Sequence, residues 1–234
     1  MKYYSLEELN NDIIKCEKCP RLVKYRIEVA GKNPKFKNDN YWSKPVPGFG
    51  NPVARIVIIG LAPAAHGGNR TGRVFTGDES ASNLMRALYE VGLTNQPTST
   101  NKNDGLIVKN LYITAALKCA PPNNLPLKNE LKNCSVYLDA ELKLLKNAKV
   151  YIALGRIAWE SLLSSFRRVF NIEINDKKFT HGKCIKIQLH DNTKYIIASY
   201  HPSPRNMRTK LLTHEMLVNI FRKAISYSET HEQN

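Results

Sequence analysis

The chain reads IVIIG at residues 56–60 and continues directly into LAPAAHGGNRTGRVFTGD at residues 61–78. The four apolar residues before Gly60 would face both sides of a strand, which is typical of a parallel strand covered by helices on both faces. Ligands of such sheets bind beyond the carboxyl ends of the strands. The loop after Gly60 supplies glycines together with His66, Asn69, Arg70, Arg73, Phe75 and Asp78. We therefore predict that this loop forms part of an active site rather than a solvated connection.

A second strand ends in residues of the same kind. Residues 194–199 read KYIIAS, and YHPSPR follows at residues 200–205. The prolines on either side of Ser203 remove two backbone donors, so this segment is predicted to be a fixed turn and not a continuation of the strand. His201 is thereby held at the carboxyl end of a strand, where a histidine is a candidate catalytic group.

Two further apolar runs have the character of strands. They are LYITAAL at residues 111–117 and VYIAL at residues 150–154, and each is closed by a turn signal. Because helical patterns alternate with the four runs, the sequence predicts an α/β fold, a three-layer αβα sandwich with a central four-stranded parallel sheet. No linker interrupts the chain, so a single domain over residues 1–234 is expected.

The helical segments carry their own signals. Ser5 and Glu8 form an S-x-x-E capping box before an apolar stripe that leads to the first cysteines. Ser80 is expected to cap a helix that ends at Gly92. The segment from residue 170 to residue 189 is expected to add a β-ribbon to the sheet.

The chain is strongly basic, with 35 lysines and arginines against 20 acidic residues and a formal net charge of +15. Such a surface attracts a polyanion, and nucleic acid is the leading partner. No apolar run approaches the length of a transmembrane helix, and the first residues lack an apolar signal stretch. We therefore expect an intracellular, cytoplasmic protein that acts on nucleic acid and has no membrane partner.

Five cysteines in an intracellular chain point to a metal before they point to disulfides. Cys16 and Cys19 form a C-x-x-C after the first predicted helix, Cys119 follows a strand, and Cys134 lies on the apolar face of a helix. Four thiolates from separated segments can close a tetrahedral zinc site or hold an iron–sulfur cluster, and their spacing does not choose between the two. Cys184 lies in an alternating strand and is expected to be a free thiol.

These motifs together resemble the iron–sulfur uracil-DNA glycosylases. The resemblance rests on residues 60–78, on HPSP at residues 201–204 and on the four cysteines, and it covers nearly the whole chain. Within that superfamily the chain is most similar to the type B, or family 5, branch. The sister type A branch has an acidic residue at the place of Leu61, an asparagine at that of Ala115 and an arginine at that of Asp78.

The resemblance implies an enzyme that flips uracil out of DNA and hydrolyses its N-glycosidic bond, leaving an abasic site. It implies that Phe75 stacks on the base and that His201 bonds a carbonyl group of the base. The residues that it assigns are Asp78, Asn124 and His201 for catalysis; Gly60, Leu61, Ala62, Phe75, Asn124 and His201 for the base pocket; and Cys16, Cys19, Cys119 and Cys134 for a [4Fe–4S] cluster.

The expected partner is double-stranded DNA that contains uracil or another deaminated base, with single-stranded DNA as a further substrate. Contacts with DNA are expected from Arg70, Arg73, Ser203, Arg205 and Arg208. Because Leu61 and Ala115 are apolar, the pocket has few polar groups to reject other bases, so hypoxanthine and xanthine are expected substrates as well. The protein is expected to act as a monomer.

Two other functions remain open on the sequence. A non-catalytic nucleic-acid-binding protein with a structural metal would explain the charge and the cysteines, but not the turn at His201. A phosphohydrolase could use the glycine-rich loop as an anion cradle, although no G-K-[ST] follows the glycines and no carboxylate cluster suggests magnesium. Asp78 also has an alternative role, because an aspartate before a helix can equally be its N-cap.

Overall fold

A computed structural model of the chain describes residues 3–189 and 192–229. Within these residues the centre of the protein is a six-stranded sheet in the order β1-β3-β2-β4-β6-β5. The strands are β1 (Phe49–Gly50), β2 (Ile56–Gly60), β3 (Leu111–Ala115), β4 (Val150–Leu154), β5 (Cys184–Gln188) and β6 (Thr193–Ser199). The strand β2 pairs in parallel with β3 and β4, and β4 pairs in parallel with β6.

The four predicted strands are the four parallel strands of this sheet, so the predicted α/β sandwich with a parallel centre is confirmed. The predicted number of strands was too small, because β1 and β5 add antiparallel edges to β3 and β6. The strand β5 belongs to the predicted β-ribbon, whereas the two residues of β1 are too few to show a period in the sequence. The strand β3 ends at Ala115, two residues earlier than expected.

Helices cover the sheet on both faces. In the described ranges they are α1 (Leu6–Ile14), α2 (Pro20–Glu28), α3 (Gly68–Thr71), α4 (Glu79–Glu90), α5 (Lys128–Leu144), α6 (Arg156–Phe170), α7 (Pro204–Arg208) and α8 (His214–Glu229). Ser5 caps α1 as predicted, and its hydroxyl oxygen accepts a hydrogen bond from the Glu8 backbone N–H at 3.1 Å. No helix in the described ranges combines the length and the apolar character that crossing a membrane requires.

The two faces of β2 enter two different cores. Val57 and Ile59 pack with α1, α5 and α6, around the fully buried Trp159. Ile56 and Ile58 pack with α4 and α8 on the other side. This burial on both faces is why the strand is apolar throughout, and it produces the three layers. The predicted domain limits also include residues 1–2, 190–191 and 230–234, which lie outside the described residues.

The register of the parallel strands brings their carboxyl ends to one edge of the sheet. Gly60 pairs with Ala115 across β2 and β3, and Leu154 pairs with Ser199 across β4 and β6. His201 follows Ser199 by two residues, so the glycine-rich loop and the histidine turn leave the sheet at the same edge. This edge is where a parallel sheet binds its ligands.

Candidate active site

The ring of Phe75 lies at the end of β2. Its backbone has a φ of 47°, a left-handed conformation that residues with a side chain rarely adopt. The ring packs directly against Gly60, where an added Cβ would lie 2.8 Å from two of the ring carbons. Glycine at residue 60 is therefore what allows an aromatic ring to contact the strand end.

The imidazole of His201 faces Phe75, with 6.0 Å between the ring centroids and 29° between the ring planes. Two asparagine side chains hold the backbone of its turn. Asn206 Nδ2 donates to the His201 carbonyl oxygen at 2.8 Å, and Asn83 Nδ2 donates to the Pro202 carbonyl oxygen at 3.1 Å. Burial lowers the pKa of His201 to about 4, so the ring is neutral at pH 7. No partner for the ring nitrogens is found among the described residues, which leaves them to a ligand.

The first residues after β2 remain attached to the neighbouring strand. The carbonyl oxygens of Gly60 and Leu61 accept hydrogen bonds from the backbone N–H groups of Ala116 and Leu117, both at 2.9 Å. Leu61 and Ala62 are half-buried. Three of the six residues expected to line the base pocket, Gly60, Leu61 and Ala62, therefore lie at the sheet edge, and the first two are anchored to the neighbouring strand.

The carboxylate of Asp78 begins α4. Its Oδ1 accepts a hydrogen bond from the Ala81 backbone N–H at 2.9 Å, so Asp78 is the N-cap, and the prediction of Ser80 in that place was wrong. Its other oxygen lies against the backbone of Gly67, where any side chain would collide with it. Burial raises the pKa of Asp78, opposed by the Ala81 and Ser80 backbone N–H groups. A poorly solvated carboxylate held in place by backbone is suited to a catalytic role as well as to capping.

Asn124 lies beyond β3 in a tight turn, the 3-10 helix Pro122–Asn124. Asn123 and Asn124 both have left-handed backbones, with φ values of 54° and 57°. Such strain is retained where the surrounding structure holds it, often at functional sites. The Asn124 side chain is exposed, so it can meet a substrate from the rim of the sheet edge.

Arg70 and Arg73, both expected to contact DNA, are instead held by protein partners. Arg70 Nη1 pairs with Asp39 Oδ2 at 2.7 Å, and its other nitrogens donate to two carbonyl oxygens of its own loop. Arg73 is buried, and its Nη2 lies 2.8–2.9 Å from both carboxylate oxygens of Asp104. The guanidinium of Arg73 is thus occupied by Asp104, and that of Arg70 by Asp39 and by carbonyl oxygens of its own loop.

The turn after His201 presents the exposed arginines. Arg205 is exposed, and no partner for its guanidinium is found in the described part of the chain. Arg208 forms an exposed ion pair with Glu79, with Nη2 2.8 Å from Oε2. Ser203 is the N-cap of α7 and accepts a hydrogen bond from the Asn206 backbone N–H. Of the residues expected to contact DNA, Arg205 and Arg208 are thus exposed and Ser203 is half-buried.

The four cysteines from separated segments line one small cavity. They are Cys16, Cys19, Cys119 and Cys134. Two of the sulfurs receive protein donors at 3.2 Å, Cys134 from the Lys118 backbone N–H and Cys119 from Arg26 Nη1. Burial raises the pKa of the Cys119 thiol to about 11 and that of Cys134 to about 12, so neither is a reactive surface thiolate. The fold thus gathers the predicted ligands, and Cys184 lies apart on β5.

A buried cation beside these sulfurs tests whether a metal group fits. Arg26 is 5% exposed, its Nη1 contacts Cys119 and the Cys16 carbonyl oxygen, and its Nε has no partner. No carboxylate in the described ranges pairs with it. A buried guanidinium requires negative charge nearby, and metal-bound thiolates supply that charge. The donor set therefore fits a thiolate-bound group.

Among the described residues, no group of three or more His, Cys, Asp or Glu side chains has the geometry of a metal-ion site. The structure shows one cavity lined by four thiols beside a buried cation.

The sequence reasoning missed the residues that support these two sites. Tyr41 Oη bonds His66 Nδ1 at 2.8 Å, and the Trp42 backbone N–H donates to the Arg70 carbonyl oxygen at 3.0 Å, so this segment crosses the glycine-rich loop. No periodic pattern in the sequence indicates that Tyr41 and Trp42 contact this loop. Arg26, in contrast, follows the buried Leu22 by four residues on α2, a helical spacing that could have indicated its inward position.

Comparison with known proteins agrees with this geometry. The profile of the Uracil DNA glycosylase superfamily matches residues 47–225. A type-5 uracil-DNA glycosylase of Pyrobaculum aerophilum is 43% identical over 218 residues, which are 93% of this chain and 91% of that protein. Another, of Thermus thermophilus, is 44% identical over 209 residues, or 89% and 92% of the two chains. A type-4 uracil-DNA glycosylase of Archaeoglobus fulgidus is 29% identical over 208 residues, or 88% and 86%. The chain therefore belongs to the uracil DNA glycosylase superfamily and, within it, to the type-5 uracil-DNA glycosylases.

Proposed function

We propose that the protein is a monofunctional DNA glycosylase of DNA repair, which hydrolyses the N-glycosidic bond of uracil and leaves an abasic site. The observation that carries the proposal is the ring of Phe75 facing a neutral His201 at the carboxyl edge of the sheet. The family of the chain supports the same activity.

The base side of the reaction needs a platform and a donor. A target base inside a duplex is out of reach, so it must be flipped out and held, and Phe75 offers it a stacking face. Cleavage leaves negative charge on the departing base. A neutral imidazole carries one N–H, so His201 can donate to a base carbonyl, and such a bond is stronger in a buried site than in water.

The sugar side needs negative charge or an oriented water molecule, because the sugar becomes cation-like as the bond breaks. Asp78 supplies a carboxylate that is fixed by the Ala81 backbone N–H and by the Gly67 backbone. Asn124 can both donate and accept, which suits it to orient the attacking water. Leu61 offers no acid, so these two residues carry the sugar side.

The range of bases follows from the same pocket. Ala115 is buried at the end of β3, and Leu61 is half-buried beside it along the sheet edge. Apolar residues discriminate weakly between bases that differ in a polar group. We propose that hypoxanthine and xanthine are excised as well as uracil, which product analysis on oligonucleotides with each single base would test.

A [4Fe–4S] cluster is the group that we propose for the four cysteines Cys16, Cys19, Cys119 and Cys134. The buried charge of Arg26 beside the four thiols and the family of the chain support it. Its contribution would be structural, since hydrolysis of a glycosidic bond needs no electron transfer. It would tie the segment between α1 and α2 to α5 and to the loop after β3.

Iron and sulfide analysis tests this assignment. We expect about four of each per chain in the wild type and in Cys184→Ser, the matched control, and a loss of both in Cys119→Ser. One zinc ion per chain in place of iron would overturn the cluster and leave the four ligands in place.

The DNA-binding surface is proposed to include Arg205, Arg208 and the Ser203 turn. The net charge of +15 supports binding to DNA, double-stranded first and single-stranded as well. We further propose that the protein acts as a monomer and works with the genome inside the cell. Light scattering of the complex with a uracil-containing duplex should give the mass of one protein chain per uracil site. A mass that corresponds to two protein chains would contradict the monomer.

The activity itself is tested by single-turnover excision from a duplex with uracil opposite guanine. We expect release of free uracil by the wild type and a rate lower by about 10²–10⁴ for His201→Ala, with DNA binding retained. A parallel incubation with ATP tests for phosphohydrolase activity. Phosphate release without uracil release would replace the glycosylase with a phosphohydrolase, and DNA binding without either would leave a binding protein.

A further inference from the structure

The ion pair of Arg21 and Glu130 joins the cysteine region to the turn that carries Asn124. Arg21 is the second residue of α2, two residues after Cys19, which is the N-cap of that helix. Its Nε lies 2.7 Å from Glu130 Oε1 and its Nη2 lies 2.8 Å from Oε2. Glu130 is only 3% exposed, so the pair is sheltered from solvent on the glutamate side. Bidentate contacts of this kind fix geometry as well as energy.

The side chains of Arg21 and Glu130 also bind the backbone of the turn, one on each side of Pro126. Arg21 Nη2 donates to the Leu125 carbonyl oxygen at 3.1 Å. Glu130 Oε2 accepts a hydrogen bond from the Leu127 backbone N–H at 2.7 Å. The backbone from residue 125 to residue 127 is thus bracketed by one ion pair. Pro126 lies between the two contacts and supplies no donor of its own.

The turn needs such support because it is strained. Asn123 and Asn124 are consecutive residues with left-handed backbones. Within the described ranges, the Asn124 side chain has no hydrogen-bond partner, so the backbone is what fixes the direction of its Cα–Cβ bond. The Leu125 carbonyl group, which Arg21 holds, belongs to the residue that follows Asn124.

We infer that Arg21 is a positioning residue that directs the amide of Asn124 toward the substrate by holding the Leu125 carbonyl group, with Glu130 as its anchor. This inference rests on the catalytic role proposed for Asn124. Glu130 precedes Cys134 by four residues on α5, and Arg21 follows Cys19 on α2, so one ion pair links both cysteine-bearing segments to the catalytic turn.

A double-mutant cycle tests the inference. We expect Arg21→Ala to lower the single-turnover rate on a uracil-containing duplex by about 10- to 100-fold, because misplacing a catalytic group by about 1 Å costs that much. Affinity for the duplex should stay near that of the wild type. In an Asn124→Ala background the same substitution should change the rate little, because two residues that act through one step do not add.

Matched variants separate positioning from loss of charge or stability. Arg168→Ala also removes a bidentate arginine, which lies on α6 and pairs with Asp139 of α5, but it does not touch the turn. We expect it to excise at the wild-type rate. Arg21→Lys keeps the charge, but all its donors lie on one nitrogen and cannot reproduce the fork that reaches both Glu130 and the Leu125 carbonyl group, so it should recover only part of the rate.

Amide hydrogen exchange gives a readout that needs no substrate. Within residues 122–127, four residues have an amide hydrogen, namely Asn123, Asn124, Leu125 and Leu127. We expect faster exchange at these four for Arg21→Ala, with no change for Arg168→Ala and with iron content unchanged in both. Should Arg21→Ala fail to fold, Arg21→Lys carries the same comparison with a smaller effect.

Three results would overturn the inference. They are equal rate losses from Arg21→Ala in the wild-type and Asn124→Ala backgrounds, wild-type exchange in residues 122–127, and a wild-type excision rate for Arg21→Ala. A wild-type protein that releases no uracil would instead refute the proposed function, and the exchange experiment would still decide whether Arg21 holds the turn.

Discussion

The ring of Phe75 faces the ring of His201 at 6.0 Å between centroids, although Phe75 follows β2 and His201 follows β6. Neither ring is placed by local structure alone. Phe75 depends on the missing side chain of Gly60, and His201 depends on two asparagines that hold the backbone of its turn. The pair is therefore sensitive to changes in residues other than Phe75 and His201 themselves.

The first prediction concerns Gly60→Ala. The new Cβ would lie 2.8 Å from the Phe75 ring, so the ring must move and its stacking face is lost. We expect the single-turnover excision rate to fall by about 10- to 100-fold while binding to undamaged duplex is kept. Gly182→Ala, which has a left-handed backbone but no atom within 4 Å, is the control and should excise normally. Equal activity of both variants would show that the platform tolerates displacement.

The second prediction concerns protonation of His201. Burial lowers the pKa of His201 from 6.5 to about 4. Between these two pH values, His201 is therefore protonated in the unfolded chain and neutral in the folded protein. The stability that this difference contributes is complete above pH 6.5 and is lost as the pH falls toward 4. We expect the imidazole resonance, assigned by its absence in His201→Gln, to titrate near pH 4. A midpoint near 6.5 would mean that the ring is well solvated.

The third prediction separates the two roles of Asp78. Asp78→Asn keeps an oxygen that can accept from the Ala81 backbone N–H, but it removes the charge. We expect a melting temperature near that of the wild type and an excision rate lower by about 10²–10⁴. Asp78→Ala should lose the cap as well, at a cost of about 1 kcal/mol in unfolding free energy. Wild-type excision by Asp78→Asn would leave Asp78 as a helix cap only.

The fourth prediction concerns the salt dependence of DNA binding. Arg205 is exposed, and the ion pair of Arg208 with Glu79 is too exposed to hold it from a phosphate. Replacing both arginines by Ala should reduce the slope of log affinity against log salt by about two, and Arg205→Ala alone by about one. An unchanged slope would place the DNA-binding surface elsewhere.

The fifth prediction concerns Arg73→Ala. Removing one partner of its buried pair leaves Asp104 charged and unpaired, so we expect a loss of about 3–5 kcal/mol in unfolding free energy. Binding of the folded protein to DNA should keep the wild-type salt slope. Chemical denaturation measures the first quantity and titration at several salt concentrations the second. A reduced slope with normal stability would return Arg73 to the DNA-binding surface.

The parallel strands could be predicted because each apolar run ends in a turn residue, as β2 does at Gly60. The partner of Arg73 could not, because Asp104 lies in a separate loop and no local pattern links the two residues. The N-cap of α4 was ambiguous for a different reason. Asp78 and Ser80 are both favourable capping residues, and only the extended backbone at Asp78 decides between them.

The cysteine site could likewise be predicted only in part. The C-x-x-C and the apolar face that carries Cys134 were visible in the sequence, and in the structure the four cysteines line one cavity. The contacts of Arg21 with Glu130 were not visible, because an ion pair between residues far apart in the chain leaves no periodic signal.

The strand β4 lies between β2 and β6, so the two halves of the site are carried by strands that do not pair with each other. Parallel pairings between distant segments form slowly, since chain entropy must be lost before any contact compensates for it. A partly folded chain can thus contain the loop after Gly60 and still lack His201. Recovery of activity during refolding should therefore lag behind recovery of helix content, and base excision would report the docking of β6.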